Sequence, residues 1–423
     1  MNDYLLLTGF YLLSLAVIGS LIYRAYRQQT FSFYLLFSLI YLATFYLGFP
    51  FSMAMALGFE SALPSKLTLF LTLFYGLVGY LIFHFAYHFF LPPRSTPLQG
   101  VGFSEISAKP TACLLGVVAV GSLIWFGLMN GFLLFELEKY SQIFSAGVRG
   151  TALKRFFYFF VPALLIFFFL KPSQKRWLLF LIFGTLFGTF CYVIVGGTRA
   201  NMVLPLVIFF LLGVQFRYLS AKWIFLMSGV MIVAMFVLAM IRYGLDVKGA
   251  EAFFTFLYLT RDTFSPWENV AIILSKPIEF QGLMPIVRDF YVYLPKGLWV
   301  DYPTPIWNTA NYFTRELLGN YSGLAISPTL LGSFYIMGGV PMILLGMALV
   351  GGIIKGFDRL YAYANAQGLA ILQTFCLANV FNFIVLVREG ADAFFSRLVF
   401  FSLVFGVCWL VAQGIVRVTQ NDR

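Results

Sequence analysis

The stretch WLLFLIFGTLFGTFCYVIVGGTRANMVLPLVIFF (Trp177 to Phe210) sets a single charge, Arg199, between two long apolar runs. The first run, Trp177 to Val195, is long enough as a helix to cross about 30 Å of hydrocarbon. Runs of this kind recur from one end of the chain to the other. Of its 423 residues, 61% are hydrophobic and only 11% are charged, far outside the composition of a water-soluble domain. A β-barrel would need short segments alternating in polarity, which the sequence lacks. The fold class is therefore an all-α polytopic integral membrane protein.

Spans are predicted at Tyr4 to Tyr23, Phe31 to Phe49, Leu67 to Leu91, Thr111 to Met129, Phe156 to Leu170, Trp177 to Val195, Met202 to Phe216, Trp223 to Ile241, Pro328 to Ile354, Gly368 to Val387 and Leu398 to Ile415. These eleven make one membrane domain over residues 1–423, with two long segments on one side, 130–155 and 242–327. MNDYLLL lacks the basic start of a cleavable signal, so the first run is read as a retained helix. With the N-terminus outside and the C-terminus inside, the inner loops sum to +10 and the outer ones to +1, as the positive-inside rule requires. The net charge of +11 thus has its first explanation in topology, and no nucleic-acid partner is expected. Cys113, Cys191, Cys376 and Cys408 fall in or beside apolar runs and read as packing residues.

The large outer segment is no polar linker. FFTFLYL (Phe253 to Leu259) and PIVRDFYVYLP (Pro285 to Pro295) are too apolar to lie free in water, and prolines and glycines divide the segment into short elements. The expectation is a folded cap over an outward-facing cavity.

The outer side also gathers arginines, in GGTRAN, LTRDTFSPWEN, PIVRDF and VREGADAFFSR. A charge at bilayer depth costs about 2.5 to 3.5 kcal/mol on insertion scales, so a chain keeps it there only with compensation. A phosphate-bearing ligand compensates well, because guanidinium presents a planar fork that binds phosphate oxygens bidentately. At Arg199, Gly196 and Gly197 allow a tight turn, and a helix is expected to start at about Ala200 or Asn201 with free N–H groups that attract an anion. The alternative is a snorkelling interfacial arginine in an ordinary turn. Arg261 with Asp262, Arg288 with Asp289, and Arg388 with Glu389 repeat an arginine-acid order. Adjacent residues on a helix point about 100° apart, so each partner is free to meet another element, either to bind substrate or to cross-link the cap. The aromatic crowd of the large loop suits sugar stacking and a membrane interface equally.

Other chemistries find no support. His84 and His88 lack the HExxH pattern and any cysteine cluster, so no metal site is expected, and no GxxxxGK[ST] loop is present. No redox or nucleotide cofactor is indicated.

NGFLLFELEKYSQIFS (Asn130 to Ser145), VGGTRAN (Val195 to Asn201), YLTRDTFSPWEN (Tyr258 to Asn269), QGLMPIVRDFYVYLP (Gln281 to Pro295), SGLAISPTLLGS (Ser322 to Ser333) and VREGADAFFSR (Val387 to Arg397) closely resemble the enterobacterial common antigen polymerases, a Wzy-type polysaccharide polymerase family of Gram-negative inner membranes. The blocks run in order from about residue 130 to 400. The resemblance implies a glycosyltransferase that uses neither nucleotide sugar nor metal. It would take a glycan from undecaprenyl diphosphate at the periplasmic face and transfer it to the terminal sugar of another lipid-linked repeat, a trisaccharide of N-acetylglucosamine, N-acetylmannosaminuronic acid and an acetylated aminofucose. It further implies periplasmic outer loops, arginine-dependent activity, membrane lipids as surroundings, and a separate chain-length regulator and flippase as partners.

Physical argument fits residues to this reaction. Negative charge moves onto a leaving pyrophosphate, so preorganised arginines and helix N-termini stabilise the transition state more than the ground state. Arg199, Asn201, Arg261, Arg288, Arg388 and Arg397 are the candidates for diphosphate and uronic acid. Asp262, Glu268, Asp289 and Glu389 are the candidate bases for the attacking hydroxyl. Two rival functions share the substrate. A lipid-linked oligosaccharide flippase would need charges lining a path through the spans, which are nearly free of them; an O-antigen ligase-like transferase differs only in its acceptor.

Overall fold

A computed structural model describes residues 2–29, 31–59, 63–89, 105–136, 148–197, 199–220, 266–293, 307–321 and 325–421, with a few isolated positions between 222 and 255. Among the described residues the regular secondary structure is all helical. The helices are α1 (Asn2–Gln28), α2 (Phe33–Phe45), α3 (Phe49–Gly58), α4 (Lys66–Phe89), α5 (Ala108–Asn130), α6 (Leu133–Glu136), α7 (Phe160–Leu170) and α8 (Gln174–Val195). They continue with α9 (Arg199–Gln215), α10 (Trp267–Ser275), α11 (Met284–Asp289), α12 (Thr309–Tyr312), α13 (Thr329–Ala366), α14 (Ala370–Ala378), α15 (Val380–Arg388) and α16 (Ala391–Asn421). Hydrocarbon offers backbone N–H and C=O groups no partners, so a spanning chain satisfies them within helices.

Nine helical segments among the described residues are long and apolar enough to cross a membrane, and each coincides with an expected span. Several of them are broken: α2 and α3 join at Tyr46 to Gly48, α5 and α6 at Gly131 and Phe132, and α14 and α15 at Asn379. The expected span at Met202 to Phe216 falls on α9, an apolar helix of 17 residues, about 25 Å long and short for a full crossing. The expected span at Trp223 to Ile241 lies almost wholly outside the described residues.

The expected ends need correction at two places. Helix α13 runs twelve residues beyond Ile354, so Lys355, Asp358 and Arg359 are helical rather than in a loop. The extension is tied down: the Asp358 carboxylate accepts the Phe33 and Tyr34 N–H groups at 2.6 and 3.1 Å and the Tyr87 hydroxyl at 2.8 Å, capping the start of α2. Helix α16 starts seven residues before Leu398, which places Asp392, Ser396 and Arg397 on its first turns. Cys191, Cys376 and Cys408 are buried, but Cys113 is exposed on α5.

Two features of the bundle position the site. Helices α8 and α9 form a close hairpin, turned by Gly196 and Gly197 at φ 83° and 99°. A Cβ on Gly188 would stand 2.5 Å from the Asn201 carbonyl oxygen, so only glycine permits this approach. Helix α13 packs along α4 and is interrupted near its start by Gly338 and Gly339, with Pro341 just beyond. Pro341 has no N–H to give the Met337 carbonyl, and the break frees that of Ile336. Both are taken by the loop before α11, where Gly282 donates to Met337 at 2.9 Å and Gln281 to Ile336 at 3.0 Å. A small core of Ile273, Tyr312, Phe313, Leu317 and Ile336 completes this anchorage, so the described parts of the 242–327 segment are packed on the bundle.

Candidate active site

Four short stretches converge at the start of α16: the 3₁₀ turn Thr151–Arg155, α11 with the 3₁₀ turn Phe290–Tyr293 behind it, the pair Asn308 and Thr309, and α16 itself. Asp392 and Ser396 lie four apart on α16 and so share a face. The Ser396 hydroxyl donates to Asp289, and the Asn308 amide donates to the same carboxylate at 2.7 Å. Thr309 donates both its backbone N–H and its hydroxyl to one oxygen of Asp392, each at 2.8 Å. The other oxygen, Oδ1, is buried and has no hydrogen-bond partner among the described residues. Neighbouring residues thus bridge two buried carboxylates, each held by neutral donors.

Beside this bridge the charges are differently placed. Arg397 forms an ion pair with Glu389 at 2.5 Å, and its guanidinium lies 5.7 Å over the Phe381 ring. Arg155 is half-buried within electrostatic reach of Arg397, Tyr293, Asp289 and Glu389. Among the described residues it makes no hydrogen bond or ion pair. Its guanidinium stands 5.5 Å over the Tyr293 ring, which stacks on Phe400 at 4.5 Å. Burial raises the Tyr293 phenol above its ordinary range, although Arg155 and Arg397 pull the other way, so it remains a donor at neutral pH. A guanidinium with open donors next to a second cation is arranged for an anion that comes from outside the chain.

The sequence candidates divide among several places. Asp289 and Arg288 point apart as expected: Asp289 faces Ser396 and Asn308, whereas Arg288 lines a cavity with Glu279, Gln281, Tyr312 and Glu316. Glu389 bonds Arg397 rather than its neighbour Arg388, which ends α15, where a cation suits the helix dipole. Glu268 stands apart on α10, buried, with its carboxylate on the Ser52 hydroxyl, which also accepts the Trp267 indole N–H at 3.1 Å. Arg199 is the first residue of α9 and Asn201 the third, so the expected helix start is present, but the Arg199 side chain lies outside the described residues. Arg261 and Asp262 also lie outside them.

Sequence reading passed over Arg155 and Asp392. Arg155 stood at the edge of the shorter outer segment, beside Lys154, with no acid next to it to draw attention. Asp392 lay inside a quoted block but reads as an ordinary helix-opening acid.

Residues 2–421 match the family described as WzyE protein, O-antigen assembly polymerase. The chain belongs to this family. No solved structure matches it. As a WzyE-family polymerase with nine described apolar helices, it is a multi-pass inner-membrane protein, and its substrates are lipid-linked glycans. His84, which sequence reading set aside as a metal ligand, bonds the Tyr34 hydroxyl at 2.7 Å, far from these cationic residues in the chain.

Proposed function

We propose that this polymerase extends enterobacterial common antigen at the periplasmic face of the inner membrane, transferring glycan from undecaprenyl diphosphate to the terminal sugar of a second lipid-linked trisaccharide repeat. The N-terminus is then periplasmic and the C-terminus cytoplasmic, as the charge asymmetry argues. The 242–327 segment is the cap, and neither metal nor nucleotide takes part. The observation that carries this reading is the open guanidinium of Arg155 beside Arg397 in a chain that matches the polymerase family almost end to end.

In this mechanism Arg155 holds the donor diphosphate. As the bond from the anomeric carbon to the diphosphate oxygen breaks, the charge developing on that oxygen meets preorganised donors. Tyr293 supplies a phenol O–H beside them. The attacking hydroxyl loses its proton to a carboxylate that must be reachable. Among the described candidates Glu389 meets this condition best, with a side chain 35% exposed, whereas Asp289 and Glu268 are buried. Arg397 holds Glu389 in place through their ion pair. Asp289 and Asp392 hold α11 and the Asn308 and Thr309 pair against α16. Arg199, with the free N–H groups of α9, and Arg261 serve the diphosphate or the uronic acid.

The test uses purified protein in lipid nanodiscs with synthetic undecaprenyl-diphosphate trisaccharide, with no metal or nucleotide added. A ladder of longer glycans is expected. No ladder under several lipid conditions would reject the reading, and a ladder from wild type but not from Glu389→Gln would support the assigned base.

A further inference from the structure

On the other face of α11 lies a cavity of about 420 Å³, within the roughly 300–1,000 Å³ range of small-ligand sites. Its lining includes Glu279, Gln281, Arg288, Tyr312 and Glu316. Arg288 and Asp289 are consecutive, and their side chains diverge by about 100°. Helix α11 therefore stands between this cavity and the Arg155 cluster.

The cavity is built on anchored backbone. The loop carrying Glu279 and Gln281 is pinned by hydrogen bonds to the broken carbonyls of α13. Phe280 between them fits against Gly339, whose added Cβ would stand 3.0 Å from the ring. The Gln281 amide donates to the Glu279 carbonyl at 2.8 Å, and the Tyr312 hydroxyl accepts the Glu279 N–H at 3.2 Å, which leaves the phenol proton free to donate. Burial raises the Tyr312 phenol, so that proton is retained. Glu316 projects from Phe313–Leu317, a π-helical turn, a distortion that concentrates at functional sites.

The charges decide what such a wall accepts. Among the described residues the wall carries two carboxylates and one guanidinium and is formally negative, so a diphosphate would meet like charge. Carboxylates instead accept from hydroxyls, while guanidinium and phenol donate to ring, hydroxyl and acetamido oxygens. We infer that this cavity is a subsite for the neutral, hydroxyl-rich end of the acceptor glycan, held by Glu279 and Glu316 as acceptors and by Arg288 and Tyr312 as donors. The assignment rests on the polymerase reading, which requires two glycans to be bound at once, the donor's diphosphate on the Arg155 face of α11 and the acceptor's sugar on the Arg288 face.

The experiment titrates the full-length protein in nanodiscs with two probes, a lipid-free methyl glycoside of the trisaccharide and inorganic pyrophosphate. Glu279→Gln and Glu316→Gln, both at exposed positions, are each expected to weaken trisaccharide binding by about tenfold, the loss of one charge-assisted hydrogen bond. Pyrophosphate binding should be unchanged or tighter in both. Arg155→Ala should show the reverse pattern. In turnover, the acceptor KM should rise while the donor KM holds. Wild-type trisaccharide affinity in the doubly substituted protein, or displacement of trisaccharide by pyrophosphate, would overturn the subsite. A ladder with unchanged acceptor KM in both variants removes the subsite and leaves the polymerase standing; trisaccharide binding of the expected pattern without any ladder does the opposite.

Discussion

Arg155→Ala separates a binding role from a structural one. The side chain makes no hydrogen bond or ion pair among the described residues, and its recorded contact is the Tyr293 ring at 5.5 Å. Losing that contact costs about 0.5–1 kcal/mol, and removing one of two neighbouring guanidinium charges offsets part of it. Folding stability should therefore change by less than about 1 kcal/mol. If the fork grips the leaving diphosphate, the loss is that of charge-assisted hydrogen bonds worth about 1.5–3 kcal/mol each. At 1.36 kcal/mol per decade, about 3 kcal/mol lowers the elongation rate roughly 100- to 200-fold. Arg155→Lys keeps the charge without the fork and should fall nearer to the alanine variant than to wild type. The assay is the initial rate of chain elongation from synthetic lipid-linked repeat, with thermal unfolding of the same preparations measured in parallel. A normal rate in Arg155→Ala refutes the diphosphate role. A variant that unfolds at much lower temperature refutes the claim that the guanidinium is not structural.

Substitutions at four further positions test the rest of the structure. Gly390 has φ 129° and an added Cβ would stand 2.7 Å from that of Ser333, so Gly390→Ala should cost about 1–3 kcal/mol, read as a lowered unfolding temperature, whereas Gly406→Ala, with open space around it, should not destabilise. Asp358→Ala leaves the Phe33 and Tyr34 N–H groups and the Tyr87 hydroxyl without their acceptor and should cost about 1–3 kcal/mol by the same measurement; an unchanged midpoint would show that the cap contributes nothing. Arg199→Ala and Arg199→Lys should insert and express normally but make little polymer, and a wild-type chain yield from the alanine variant would end the proposed role of Arg199.

The membrane-spanning architecture was legible because the decisive quantity is local. A run such as Trp177 to Val195 must become a helix in hydrocarbon whatever its neighbours do, since only a helix satisfies the backbone within the segment. The turn at Gly196 and Gly197 and a helix start within one or two residues of the observed Arg199 were legible for the same reason: glycine conformation and helix capping act over a few residues. Helix ends were less so. Hydropathy could not show that Asp358 would reach the start of α2, more than 300 residues away, and so carry α13 past its apolar part.

The site divides the same way. Sequence alone placed arginines and acids beside apolar runs and showed that adjacent members of a pair would diverge, because side-chain direction follows from helix geometry. Which residues then meet depends on how α11, α16 and the Thr151–Arg155 turn pack. Tertiary structure brought Arg155 to Arg397, turned Asp289 onto Ser396, and put Arg288 on the far side of α11 with Glu279 and Glu316. Local composition fixes what a segment must become in a bilayer, but the convergence of charges distant in sequence is settled only by the packing of helices against one another.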